Sequence, residues 1–161
     1  MVSIEKRSVL HSQDENEIKN PKEFLIRLRE KVPFLQQIPD ERYLSLDIKE
    51  FRIPTGDLVN ARQDLENKLN QYVMTYNKDI FRLDIPVAEH LCANIVGAKL
   101  TEDELQILQD YEEKYMGERV SFVAYKKPLE LTDPSKSDLS KLYETKGLIF
   151  SNKNIKTEIK S

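Results

Sequence analysis

Apolar residues recur at helical spacing in four stretches of this chain and alternate in a fifth. In NPKEFLIRLREKV, Phe24, Leu25, Leu28 and Val32 share one helical face. Asn20 is placed to cap that helix, Pro21 suits its first turn, Glu23 completes a capping-box pattern, and Pro33 stops it. Residues 34–53 fit two readings: Leu44, Leu46 and Ile48 alternate as in a strand, and a short helix also fits so short a window. From Leu58 to Tyr76, the positions Leu58, Ala61, Leu65, Leu69, Tyr72, Val73 and Tyr76 form one stripe, which predicts a single continuous helix with its apolar face in a core or on a partner. A third helix is expected from Pro86 to Val96, with Ala88, Leu91, Cys92, Ile95 and Val96 on one face and Gly97 as its stop. The fourth begins with a capping box, Thr101 to Glu104, with Leu100 and Leu105 at the positions of a hydrophobic staple. Its face continues through Leu108, Tyr111 and Tyr115, and Gly117 ends it.

The period changes at Gly117. In RVSFVAY, Val120, Phe122 and Ala124 alternate against Ser121, Val123 and Tyr125, a strand pattern that Leu129 and Leu131 extend past Pro128 at an edge. Asp133-Pro134 opens a short helix with Leu139, Leu142 and Tyr143 inward, Gly147 closes it, and residues 148–150 read as a final strand. The expected class is therefore α+β, mainly α: a helical bundle body over residues 20–117 followed by a small strand–helix–strand appendage over 118–150. Residues 1–19 and 151–161, poor in large apolar side chains and without a period, read as a disordered tail and a solvated tail. The appendage is too small to be stable alone and is expected to pack on the body or on another chain.

Composition narrows the class further. The 161 residues are 39% hydrophobic and 33% charged, enough for a core without staples under an unusually charged surface. Such surfaces occur in thermophile proteins and in subunits that meet many partners. A net charge of −3 argues against a dedicated nucleic-acid clamp. The single cysteine, Cys92, excludes an intrachain disulfide. The polar start of the chain does not read as a signal peptide, and no run approaches a membrane span, so a cytoplasmic protein is expected.

Candidate chemistry is thin. His11 lies in the expected tail, and His90, two residues from Cys92 on a helix, cannot share a metal with it and reads as a surface or rim histidine. Cys92 reads as a small buried hydrophobe with no base beside it. Gly56, Gly97, Gly117 and Gly147 do not cluster into a phosphate loop. The acidic runs sit at helix starts and on polar faces, where capping and solvation account for them. The expectation is a chain without catalytic residues, cofactor or metal. Arg27 with Arg29, and Lys126 with Lys127 beside Tyr125, are the basic concentrations that could touch a phosphate backbone.

The run NIVGAKLTEDELQILQDYEEKY resembles the last helix-turn-helix of the helical domain in archaeal GINS subunits. VSFVAYKKPLEL followed by SDLSKLYETKGLIFS resembles a shortened form of that family's small β-rich domain. The resemblance covers residues 94–151. It implies a non-catalytic scaffold in the replicative helicase assembly, paired with a second GINS subunit and bridging the helicase ring to a nuclease-like partner. Pattern, rather than a family motif, marks Leu65, Leu69, Tyr72 and Tyr76 as candidate subunit contacts, and Phe122 and Tyr125 as a docking strand. Two other readings of the chain remain. One is an accessory subunit of an archaeal-type primase, which would bind nucleotide or primer ends through Arg27, Arg29, Lys126 and Lys127. The other is a small helical subunit of a CRISPR effector complex. A small nuclease using scattered carboxylates ranks below both. All but the last anticipate a hetero-oligomer of protein subunits.

Overall fold

The computed structural model describes residues 20–78 and 84–137. The expectations for residues 1–19, for Leu139, Leu142, Tyr143 and Gly147, and for the strand and tail after them lie outside the described residues.

Helix α1 spans Pro21–Lys31, and Asn20 Oδ1 accepts from the backbone N–H of Lys22 at 3.0 Å and of Glu23 at 3.2 Å. It buries Phe24, Leu25 and Leu28 and stops before Pro33, where a 3-10 turn runs Pro33–Gln37. The ambiguous window contains no strand. A single turn of helix, α2 (Asp40–Tyr43), is followed by irregular chain in which Leu46, Phe51 and Ile53 are buried. The buried Tyr43 hydroxyl donates to the Leu25 carbonyl and ties α2 to α1.

Helix α3 spans Asp57–Leu69, entered through Gly56 at φ +56°, a conformation glycine adopts freely. The stripe expected to run to Tyr76 breaks at Asn70, which takes the left-handed conformation (φ 53°, ψ 41°) and turns the chain into strand β1, Tyr72–Asn77. Tyr72, Val73 and Tyr76 fall three, four and seven positions after Leu69, so a strand buried on both faces mimics another two helical turns.

The helix expected from Pro86 to Val96 is also absent. Two 3-10 turns, Val87–Glu89 and Leu91–Ala93, lead into an extended stretch through Ala98. The Asn94 side chain accounts for part of this, because its Nδ2 donates to Ala88 O at 2.9 Å and His90 O at 2.7 Å and so competes with helical bonding. Helix α4 (Glu102–Lys114) matches its signals: Thr101 Oγ1 accepts from Glu104 N at 3.1 Å, and Glu104 Oε1 accepts from Thr101 N at 2.9 Å. Gly117 lies inside the following 3-10 turn, Met116–Glu118. Arg119, at φ 53°, makes the left-handed reversal into strand β2, Val120–Tyr125.

β1 and β2 pair antiparallel from Tyr72 opposite Tyr125 to Asn77 opposite Val120. Short segments extend the pairing on both sides. Arg52 N–H donates to Thr75 O at 3.1 Å outside β1, and Ala98 N–H donates to Ala124 O at 3.0 Å outside β2. Beyond Tyr125 the chain bulges through the cis Lys127–Pro128 bond, and Leu131 then pairs with Ile95.

Alternation along the strands divides the core in two. Met74, Tyr76, Val123 and Tyr125 meet α1, α2, Phe51, Leu91 and Ile95. Val73, Val120, Phe122 and Ala124 meet α3, Ala98 and Leu108 of α4. The fold is α+β: the described helices lie on the two faces of a small sheet, with α3 and α4 also touching through Lys68 and Tyr111, and this arrangement does not form the expected helical bundle body over residues 20–117. The expected domain boundary at residue 117 falls between α4 and β2, both of which feed the second cluster.

Phe122→Ala is expected to destabilise the chain by about 3–5 kcal/mol, because the ring is fully buried. Thr101→Ala, which removes only the cap, is expected to cost about 1 kcal/mol. Urea unfolding followed by circular dichroism measures both.

Candidate functional site

Five of the six residues marked as partner contacts are used inside the chain. Leu65, Leu69, Tyr76, Phe122 and Tyr125 are all buried. The reading of Phe122 and Tyr125 as a docking surface therefore gives way to a core role: the strand is covered on both faces, by α1 and α2 on one and α3 and α4 on the other. Tyr72 remains half-buried. Its ring stacks on Phe34 at 4.8 Å, its hydroxyl accepts from Gln37 Nε2 at 3.0 Å, and the Lys127 ammonium stands 5.7 Å from its ring centroid.

The four basic candidates are not assembled into one patch. Arg27 is exposed on α1, whereas Arg29 bonds Asp40 at 2.8 Å and lies over the Tyr43 ring. Lys126 pairs with Glu130, and Lys127 leans on Tyr72.

A different surface feature appears beside α2. An open groove of about 610 Å³ is lined by Glu41 and Arg42, by Ala88 and Asn94, and by Leu131 and Asp133 after the bulge. Arg42 joins these segments: Nε donates to Asn94 Oδ1 at 2.9 Å, and Nη2 donates to Asn94 O at 3.1 Å and to Thr132 O. The Asp133 carboxylate accepts from the hydroxyl of Ser135 at 2.7 Å and from its N–H at 3.0 Å, and these bonds hold it below the usual carboxylate range. The Ser45 hydroxyl, also on the groove, donates to Glu41 O at 2.8 Å, so its proton is not available to a neighbouring base.

A second polar cluster lies inside the core. His90 is only 2% exposed, which corrects its reading as a surface or rim residue. Its Nδ1 stands 3.4 Å from Glu50 Oε1 and its Nε2 3.3 Å from Ile85 O. The Tyr76 and Tyr125 hydroxyls share a hydrogen bond, and burial together with these neighbours raises the Tyr76 pKa well above its ordinary value. Cys92 is buried as expected, and burial, then Glu50, push its thiol up to about 12, far from a reactive thiolate. Among the described residues no group of three or more His, Cys, Asp and Glu is arranged to hold a metal.

No local signal marks either cluster. Glu50 and His90 are separated by 40 positions, and Arg42 reaches Asn94 and Thr132 across 52 and 90 positions. No family model matches the chain, and neither a curated protein nor a solved structure does. Among the described residues no helix is long and apolar enough to cross a membrane.

Asn94→Ala is expected to destabilise the fold by about 1–3 kcal/mol, since it removes the acceptor of Arg42 Nε, the donor to the Ala88 carbonyl and one of the donors to the His90 carbonyl. A urea midpoint unchanged from wild type would rule out that structural role.

Proposed function

We propose that this chain is a non-catalytic binding module that holds an extended, lysine- or arginine-bearing segment of a partner protein at the groove beside Leu131. One observation carries the reading. Glu130 O and Thr132 N are bonded to Val96 and Asn94, while among the described residues nothing bonds the N–H or C=O of Leu131 between them. Leu131 is also 42% exposed and lines the groove. An unpaired backbone position next to apolar surface is the template that strand addition uses. Charge selects the occupant. Glu41 and Asp133 lie on the groove without a salt-bridge partner among the described residues, while the Arg42 guanidinium is engaged by the Asn94 and Thr132 carbonyls.

The likeness of residues 94–151 to GINS subunits supports an assembly for this module: a scaffold of the replicative helicase, paired with a second small subunit. That setting predicts stoichiometric co-purification with such a subunit from the native cell.

The groove itself is tested with isotope-labelled full-length chain and a short peptide alternating threonine and valine around one lysine. The peptide is expected to shift the amide resonances of Leu129, Leu131 and Ala88, and its glutamate counterpart to bind several-fold more weakly. Leu131→Pro, which removes the unpaired N–H and leaves the Glu130 and Thr132 bonds in place, is expected to abolish the shifts. Shifts centred on Arg27, or peptide binding unaffected by Leu131→Pro, would sink the reading.

A further inference from the structure

We infer that the Glu50–His90 pair is a proton-dependent latch that fastens residues 85–94, one wall of the groove, to the chain segment around residues 47–50. The inference rests on geometry at the imidazole. Both ring nitrogens face oxygen acceptors, Glu50 Oε1 at 3.4 Å and the Ile85 carbonyl at 3.3 Å. Neither a carboxylate nor a carbonyl has a proton to donate, and a neutral imidazole carries a single N–H. Only the imidazolium donates to both. Once it loses a proton, one of the two contacts sets a nitrogen lone pair against an oxygen lone pair, in a site where His90 is 2% exposed and water offers little relief.

The surroundings favour the charged ring. Burial alone would lower the His90 pKa. The hydrogen bond and charge of Glu50, the Ile85 carbonyl and the charge of Asp47 outweigh it, so the value rises above the ordinary 6.5. Tyr76 from β1 and Cys92 from the latch segment interact with Glu50, and burial raises the pKa of both; Tyr125 from β2 meets the pair through the Tyr76 hydroxyl. A folded-state pKa above the unfolded one stabilises the folded chain fully below about pH 6.5, and this contribution is lost as pH rises through the folded value.

The latch has a direct path to the groove. Residues 85–94 are held to the neighbouring segment by the Glu50–His90 contact and by Asp47 N–H donating to Glu89 O at 3.0 Å. Asn94 Nδ2 binds the carbonyls of Ala88 and His90, and Arg42 binds Asn94 in turn. Ala88, Asn94 and Arg42 all line the groove. Releasing His90 therefore frees the groove wall while α4 and the β1–β2 pairing keep their own bonds. The consequence for binding rests on the groove reading above; the latch itself does not.

The test is hydrogen exchange on the full-length chain at about pH 5.5 and about pH 8.5, with rates corrected for intrinsic exchange, beside an NMR titration of the His90 ring. Protection of the amides of residues 85–94 is expected to fall about tenfold at the higher pH, tracking the His90 titration, while α4 amides hold theirs. Glu50→Gln is the decisive variant, because a glutamine amide can donate to the neutral ring and keep both contacts made. Its protection is expected to be high and independent of pH. Wild-type protection that does not change with pH, or Glu50→Gln retaining the wild-type dependence, overturns the latch. The lysine peptide described above, titrated at both pH values, separates the two readings. A latch that titrates with no peptide bound at either pH leaves the latch and removes the groove function; a peptide bound equally at both, with constant protection, does the reverse.

Discussion

The antiparallel pairing of β1 with β2 is what the rest of this chain depends on. Six residue pairs join segments almost fifty positions apart, and both faces of the resulting ribbon are buried. A two-stranded ribbon is marginal by itself in water. Here α1 and α2 cover one face and α3 and α4 the other, so the ribbon and the helices bury one another. The alternation of Met74 and Tyr76 against Val73, and of Val123 and Tyr125 against Phe122, deals side chains into two separate clusters. A one-residue slip of register would exchange the two sets.

A ribbon this narrow has edges to close, and the high charge content takes on that work. At the outer side of β1, Glu66 accepts from Val73 N–H while Arg62 donates to Val73 O and pairs with Glu66, so an almost fully buried arginine serves as an edge cap. On β2, the Glu112 carboxylate accepts from Phe122 N–H at 2.7 Å. Charged side chains on the sheet-facing sides of α3 and α4 thereby substitute for neighbouring strands, which edge-strand physics otherwise requires. The pairing is left open beside Leu131, beyond the bulge and next to the groove.

Groove and core are joined by one chain of polar contacts. It runs from Arg42 through Asn94 to the His90 carbonyl, and from the His90 ring to Glu50. Each link satisfies a buried group that would otherwise be costly. The same links give the surface wall of the groove a connection to a titrating group in the interior, which an apolar core of equal stability would lack.

Much of this architecture was legible from local chemistry, and the remainder was not. Asn20 with Pro21, and Thr101 with Glu104, announced α1 and α4 because a cap is a contract among neighbouring residues. The alternation of residues 120–125 likewise named β2. Two elements escaped because tertiary partners outvoted local pattern. The helical-looking stripe through Tyr72, Val73 and Tyr76 became β1 once β2 and Arg52 offered backbone partners. The expected helix at 86–96 became irregular chain once the Asn94 side chain turned onto the Ala88 and His90 carbonyls and onto Arg42. The groove and the latch belong wholly to this second class. A hydrophobic period reports which side of an element is covered, and it is silent about which distant carboxylate meets a histidine or which carbonyls an arginine will gather. The sequence by itself determined where α1, α3 and α4 begin, that no thiol pair could form, and how much charge the surface would carry. Only the tertiary structure decided that the helices serve a sheet, and that Glu50, His90, Asn94 and Arg42 act as one connected set.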